Sequence, residues 1–167
     1  MAYVDKHGAV QGCTVYLGGR LVARDATVTL PEVTFLTAEI KAMGTMEVPL
    51  PLIEAMEASM TRGAADADTA ALAAPGAKDL EVRWVEQKVK ADGSVTEVGH
   101  KAFMRVMGKK VPAVSIETGT PSEAEHTWAV SRYRLLVDGR EKLLVDRLAD
   151  QLTIDGVDYT KKLRSML

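Results

Sequence analysis

The sequence is poor in the side chains that most often form cross-links or carry chemistry. Its 167 residues include one cysteine, three histidines and only 5% aromatic residues. The single cysteine, Cys13, cannot form a disulfide bond within the chain, and a chain of this length can bury a core without one. We therefore expect a single domain, residues 1–167, in a reducing compartment, with Cys13 either buried as a small apolar residue or bonded to another subunit.

The chain also lacks a strong excess of charge and a long apolar run. Its formal net charge is -2 and its pI is about 5.9, so it has no basic stripe that would hold nucleic acid or an anionic membrane stably. No apolar run approaches the roughly 20 residues that span a bilayer. The segment 1–7 has no apolar core of a secretion signal. These absences predict a soluble protein made in the cytoplasm.

Motifs of catalysis and of metal or cofactor binding are missing as well. His7, His100 and His126 are dispersed, and none has a second ligand at the spacing of a zinc site. We expect each to be solvated or hydrogen-bonded. Asp66 and Asp68 lack the oxygen ligands and glutamate of a calcium loop, so helix capping explains them better. The prediction is no enzyme, no cofactor and no metal; a hydrolase using His100 or His126 is the remote alternative.

What the chain does contain is a set of turn signals between alternating apolar segments. Asp-Gly in such a position predicts a β-hairpin, because glycine adopts positive φ at no steric cost and aspartate tolerates it. The predicted hairpin turns are Gly18-Gly19, Asp92-Gly93, Asp138-Gly139 and Asp155-Gly156. The flanking strands are predicted at 13–17, 21–30, 80–90, 95–107, 127–137 and 142–148, and a further β-branched strand at 111–118.

Residues 31–51 have the pattern of an extended arm. After Pro31, a mixed segment runs to Met43 and Gly44, and Met46, Val48, Leu50 and Leu52 then alternate on one face. Prolines 49 and 51 fall on the opposite face, where they give no ladder donor, so this strand belongs at an edge or in a projecting hairpin. An apolar face on such a hairpin needs a partner. We therefore predict an interface formed by Pro31, Met43, Met46, Val48 and Leu50.

Helix signals are few. An aspartate cap and a Pro-Gly stop predict a short helix over 66–74. Ser122 and Glu125 have the spacing of a capping box, but the apolar residues that follow favour a strand, so we expect a loop leading into a strand. In the C-terminal tail, 157–167, we expect one or two helical turns between Asp158 and Met166 with Asp158 as cap.

The order of these features resembles a known family. The run Val28-Thr29-Leu30-Pro31 opens the arm, and the segments 133–139 and 154–158 carry the last turns. Together they are similar to the major tail tube proteins of contractile-tailed bacteriophages and the related R-type contractile bacteriocins. The resemblance implies a mainly β tail-tube fold: an antiparallel β-barrel or sandwich with one short flanking helix and a protruding hairpin arm. The region 62–78 matches least well.

The resemblance also implies a function. Six copies would close into a ring, and stacked rings would form the inner conduit for DNA ejection in a virion tail. The implied partners are further copies of the chain, the tail sheath, the baseplate and the tail terminator, with only transient contact with passing DNA. An acidic lumen wall would keep phosphates from binding; its candidate residues are Glu54, Glu57, Glu81 and Glu97.

Three alternatives remain open at this point. The tube protein of a type VI secretion system and the tube of a headless bacteriocin would share the fold. A monomeric β-barrel that binds a small ligand in a closed apolar cavity belongs to a different class.

Overall fold

The computed structural model describes residues 4–63 and 66–167, so residues 1–3 and 64–65 of the predicted domain lie outside it. Within these ranges the chain forms twelve strands and two short helices. The strands are β1 Lys6–Leu17, β2 Arg20–Arg24, β3 Thr27–Thr29, β4 Phe35–Lys41, β5 Thr45–Ile53, β6 Met56–Arg62, β7 Ala77–Val89, β8 Val95–Gly108, β9 Ala124–Val137, β10 Arg140–Asp146, β11 Gln151–Ile154 and β12 Val157–Asp158. The helices are α1 Asp68–Ala73, inside the predicted 66–74, and α2 Lys161–Met166.

Ten of the strands form one antiparallel sheet, which confirms the mainly β fold class. The order is β12-β11-β10-β9-β8-β7-β1-β2, and β6 also pairs with β9 and carries β3. Strand β9 is long enough for one of its edges to pair with β6 over Ala124 to Val130 and with β10 over Arg132 to Val137, while β8 occupies the other edge. The sheet therefore branches at β9.

The turn chemistry places the hairpins as predicted. Both central residues have positive φ in three of the turns: 56° and 84° at Gly18-Gly19, 51° and 72° at Asp138-Gly139, and 49° and 83° at Asp155-Gly156. This is the geometry of a primed turn, whose twist matches that of the flanking strands. At Asp92-Gly93 only the glycine has positive φ, and a hydrogen bond from the Lys90 N–H to the Ser94 carbonyl closes a longer loop.

The core lies on one side of the sheet, where alternate residues of each strand are buried. In β6 the buried positions are Met56, Ala58, Met60 and Arg62, and in β8 they are His100, Ala102, Met104 and Val106. Trp128 of β9 is fully buried, and its indole N–H donates to the Leu72 carbonyl of α1 at 2.7 Å. This bond attaches α1 to the end of the sheet.

Two strand predictions were wrong. Residues 111–118 form no strand; a single bridge joins Ser115 to Glu123, and Val111 and Ile116 are exposed. β-Branched residues favour a strand only where an open strand edge can pair with them, and here both edges of β9 are taken by β6, β10 and β8. Asp25, at a φ of 50°, breaks the predicted strand 21–30 into β2 and β3.

Strand β6 had not been predicted, although its alternation of apolar and polar residues has the period of a half-buried strand. The two helices each span six residues, and no helix in the described part of the chain is long and apolar enough to cross a membrane.

Candidate functional site

Strands β4 and β5 form a separate two-stranded sheet, and we refer to residues 35–53 as the arm. In its register Ala38 lies opposite Val48, and Ile40 opposite Met46. Because side chains alternate along a strand, these four residues share one face. The other face has Glu39 opposite Glu47 and Lys41 opposite Thr45. The arm is therefore apolar on one side and polar on the other.

The tip of the arm presents a fully exposed apolar side chain. Met43 has a relative exposure of 111% and a φ of 45°, a left-handed conformation that is uncommon for a residue other than glycine. Met46 is also exposed, whereas Val48 and Leu50 are half-buried. Four of the five predicted interface residues thus keep some apolar surface in contact with solvent.

Pro31, the fifth predicted interface residue, is buried within the protomer. It lies two residues after the end of β3 and four residues before the first residue of the arm, Phe35. Pro31 therefore lies at the root of the arm and not on its exposed surface.

At this root the arm meets the C-terminal segment, and two cavities lie between them. One has a volume of about 260 Å³ and is lined in part by Leu36, Leu52 and Leu163. The second, of about 400 Å³, is lined by Phe35, Pro49, Leu50, Pro51, Leu152, Ile154 and Tyr159. The second cavity gives the root of the arm and the C-terminal segment, residues 151–167, a shared apolar surface, whereas the first also has the charged residues Asp146, Arg147 and Asp150 in its lining.

The C-terminal helix α2 is held in place by Asp158. The Asp158 carboxylate accepts hydrogen bonds from Arg164 at 2.5 Å and from the Thr160 N–H at 3.0 Å. The bond from Arg164 holds the pKa of the Asp158 carboxyl below its usual value. Beyond this anchor Met166 and Leu167 are exposed, so a fixed helix carries an apolar end.

Three of the predicted lumen residues lie on the face of the main sheet that is turned away from the core. Glu57, Glu81 and Glu97 alternate with inward-facing residues of β6, β7 and β8. Glu57 forms an ion pair with Lys109, and Glu81 accepts a hydrogen bond from Arg83 at 2.5 Å. Glu54 lies apart, between the arm and β6, where its N–H donates to the Thr34 carbonyl at 2.9 Å.

The same outward face carries arginines that had not been predicted. Arg105, Arg132 and Arg134 line a hollow of about 550 Å³. Each has a carboxylate partner: Asp79 at 3.1 Å, Asp146 at 3.7 Å and Glu141 at 2.5 Å, respectively. Strand parity assigns Arg105 to the outward face of β8. Arg132 and Arg134 face outward only because the register of β8 and β9 shifts at Ser131, which reverses the parity of β9 beyond Val130. The face is therefore one of mixed charge rather than an acidic one.

The histidines do not assemble a catalytic group. His100 stacks on Trp84 with ring centroids 5.0 Å apart, and the Glu86 carboxylate lies 3.5 Å from both His100 Nε2 and His7 Nδ1. His126 is fully buried, and neither of its ring nitrogens has a hydrogen-bond partner. The prediction that it is solvated or hydrogen-bonded was wrong, because the strand period turns its side chain into the core.

The described residues contain neither a cluster that could hold a metal ion nor an activated thiol. No group of three or more His, Cys, Asp or Glu residues is placed to hold a metal ion in residues 4–63 and 66–167. Cys13 is half-buried, and burial, with the nearby Asp25 charge, raises the pKa of its thiol. A raised pKa lowers the thiolate fraction, so Cys13 lacks the activation of a nucleophile.

The branched antiparallel sheet with two short helices and a projecting hairpin is consistent with the tail-tube fold. The sequence matches the family model described as phage tail tube protein FII over residues 8–167. The chain belongs to this family, which confirms the resemblance to contractile tail tube proteins. No curated protein matches the sequence.

Two solved structures are similar in fold. One is a chain of the sheath-tube complex of an extracellular contractile injection system, PVC, in the extended state. It has a TM-score of 0.56 and 12% sequence identity, over 77% of this chain and 90% of that chain. The other, from the PVC sheath/tube terminator in the extended state, has a TM-score of 0.52 and 12% identity, over 77% and 95%. At this identity the likeness shows the fold alone.

Proposed function

We propose that six copies of this chain close into a ring and that stacked rings form the DNA conduit inside a contractile phage tail. The family supports a structural tube subunit, and the resemblance supplies the number six and the passage of DNA. The observation that carries the proposal is the arm, whose apolar face is left partly exposed in the protomer. The sheath, the baseplate and the tail terminator are the other proposed partners, in a virion tail.

We propose that the arm makes the contact between rings. Seven residues of β4 at about 3.3 Å per residue give a reach of roughly 23 Å from root to tip. An exposed apolar strand pair of this length is an aggregation hazard unless a partner covers it. In a head-to-tail assembly each copy offers its arm to the next and receives one, so every apolar face is covered.

We propose that the edges of the main sheet make the contacts within a ring. In the described part of the protomer, β2 ends the order of the main sheet on one side and β12 on the other. Unpaired strand edges readily pair with another chain. A neighbour contact of standard size buries about 1,600 Å² in total, and the apolar surface of the C-terminal segment would extend such a contact.

We propose the outward face of the main sheet as the lumen wall. Its arginines are each paired with a carboxylate, so few free cations remain to hold phosphates by release of counterions. Glu57, Glu81 and Glu97 keep their proposed role on this wall. Glu54, at the root of the arm, would lie at its margin.

A second candidate function is the tube of a headless injection device. The likeness in fold to chains of the PVC sheath-tube complex and of the PVC sheath/tube terminator favours it, and a type VI secretion tube would share the same design. Nuclease-protected DNA in purified particles would support the phage tail, and particles without a capsid or DNA would support the headless device.

Substitution on the two faces of the arm tests the proposal. Met46→Asp with Val48→Asp places charge on the apolar face, and Thr37→Asp with Thr45→Asp places the same charge on the polar face. We expect the first pair to leave the monomer folded by circular dichroism and to abolish tubes in electron micrographs. The second pair should still form tubes. Tubes of normal length from the first pair would overturn the role of the arm.

A further inference from the structure

A buried cluster of polar side chains lies beneath α1, at the end of the sheet. At its centre, the ring of His126 stacks on Trp128 with centroids 5.7 Å apart and an interplanar angle of 7°. His126 is fully buried, and neither ring nitrogen has a hydrogen-bond partner. Met60 lies directly opposite on β6. A buried ring without hydrogen-bond partners is favoured in its neutral form.

The charged groups that face His126 are mostly cationic. Arg62 on β6 is buried, and Lys78 on β7 is half-buried. Among the described residues, Asp66, which precedes α1 and is exposed, is the carboxylate that acts on the ring. Asp66 is already engaged, because it forms an ion pair with Arg62. A proton on His126 would add a third cation to a cluster with one carboxylate, in which the ring and Arg62 are buried. Such a site disfavours the charged form through both desolvation and repulsion.

The groups around His126 are also those that attach α1 to the sheet. Lys78 Nζ donates to the carbonyls of Ala71 at 2.9 Å and Ala74 at 2.5 Å, and the Trp128 indole donates to the Leu72 carbonyl. At the other end of the helix, Arg62 donates to Thr69 Oγ1 at 3.1 Å.

Helix α1 depends on these bonds. A helix of six residues has no stability of its own in water. Loss of these attachments would therefore release the segment.

We propose that α1 is a latch that acid opens: protonation of His126 releases residues 66–74 from the sheet while the strands stay paired. Burial, and then the charge of Arg62, lower the pKa of His126 from its ordinary value of 6.5. The released state regains the ordinary pKa, since the ring then reaches water. The closed latch is accordingly favoured above pH 6.5 and loses stability as the pH falls below it.

The expected size of the effect follows from one proton taken up on opening. The open fraction rises about tenfold per pH unit below the ordinary pKa, until the pKa of the closed state is reached. Asp66 does not compete in this range, because the hydrogen bond from Arg62 lowers its pKa from 3.8.

Hydrogen exchange of the full-length protein, followed by mass spectrometry between about pH 7 and pH 5, tests the latch. Protection factors, which divide out the intrinsic effect of pH on exchange, should fall about tenfold per unit in residues 66–74 and stay constant in β7 and β8. His126→Phe should make the protection of 66–74 independent of pH. The matched control is His7→Gln, at an exposed histidine, which should behave as the native chain does.

An unchanged pH dependence in His126→Phe would overturn the proposal, and so would a simultaneous loss of protection in 66–74 and the strands. Should this variant fail to fold, titration of the His126 ring by NMR in the native protein tests whether its protonation opens the latch. A ring that takes up its proton at or above pH 6.5 while α1 stays protected rules the latch out. Either result leaves the proposed tube function untouched, because no contact between copies enters the test.

Discussion

The contact between β8 and α1 makes Gly108 a position where one methyl group should matter. A Cβ built there would lie 2.2 Å from the Ala73 carbonyl oxygen and 2.6 Å from that of Ala74. These are backbone atoms, and real Cβ contacts are almost never closer than 3.0 Å. Gly108→Ala therefore forces the end of α1 away from the sheet. This movement breaks the hydrogen bond from the Gly108 N–H to the Ala74 carbonyl.

The cost has two parts. Overpacking of this kind costs about 1–3 kcal/mol. If α1 moves far enough to leave the buried Trp128 indole without its acceptor, a further 1–3 kcal/mol or so is lost. The sum, about 2–6 kcal/mol, is an upper range, because it cannot exceed the free energy of releasing α1. For a chain of this length it corresponds to a fall in Tm of roughly 4–24 °C.

Urea unfolding of monomeric protein, followed by circular dichroism, measures the effect. Gly99→Ala is the matched control, since Gly99 lies in the same strand and a Cβ there meets nothing within 4 Å. We expect the control to stay within about 0.5 kcal/mol of the native chain. Equal stabilities of the two variants would refute the close approach of α1 to β8.

Two further predictions concern pH. Burial raises the pKa of Tyr133 to about 12, whereas the phenol of the unfolded chain ionises near pH 10. The free energy of unfolding should therefore fall by about 2–3 kcal/mol between about pH 10 and pH 12. Alkaline unfolding curves of Tyr133→Phe should not show this loss. Arg164 lowers the pKa of Asp158. The ionised Asp158 carboxylate therefore stabilises α2 above pH 3.8, its ordinary pKa, and this stabilisation is lost as the pH falls through the lowered pKa of the folded protein. Asp158→Asn should loosen α2 at neutral pH in hydrogen exchange, whereas Asp155→Asn, which breaks an exposed pair with Lys142, should not; equal exchange in the two variants would contradict the anchor.

Much of the fold could be predicted from local patterns. The primed turns at Asp138-Gly139 and Asp155-Gly156 depend on the φ preferences of two adjacent residues, and the inward positions of β8 depend on a period of two. The two faces of the arm follow from the same alternation. Such features require no knowledge of distant residues.

Strand pairing could not be predicted in this way. Residues 111–118 have a strand-like composition, but both edges of the neighbouring β9 are already paired, whereas the pattern of β6 becomes a strand because β9 and β3 pair with its two edges. Pairing depends on which edges the rest of the chain leaves open. That is a property of the whole sheet, not of a segment.

The features of the candidate site also separate into those predicted from local sequence and those decided by tertiary packing. The sequence by itself determined the turns, the strand alternation and the apolar face of the arm, because each depends on residues close together in the chain. Only the tertiary structure decided that Pro31 is buried, that arginines share the outward face with Glu57, Glu81 and Glu97, and that His126 faces Arg62 and Lys78 beneath α1. Those facts depend on which segments meet, and that is set by packing between residues far apart in the sequence.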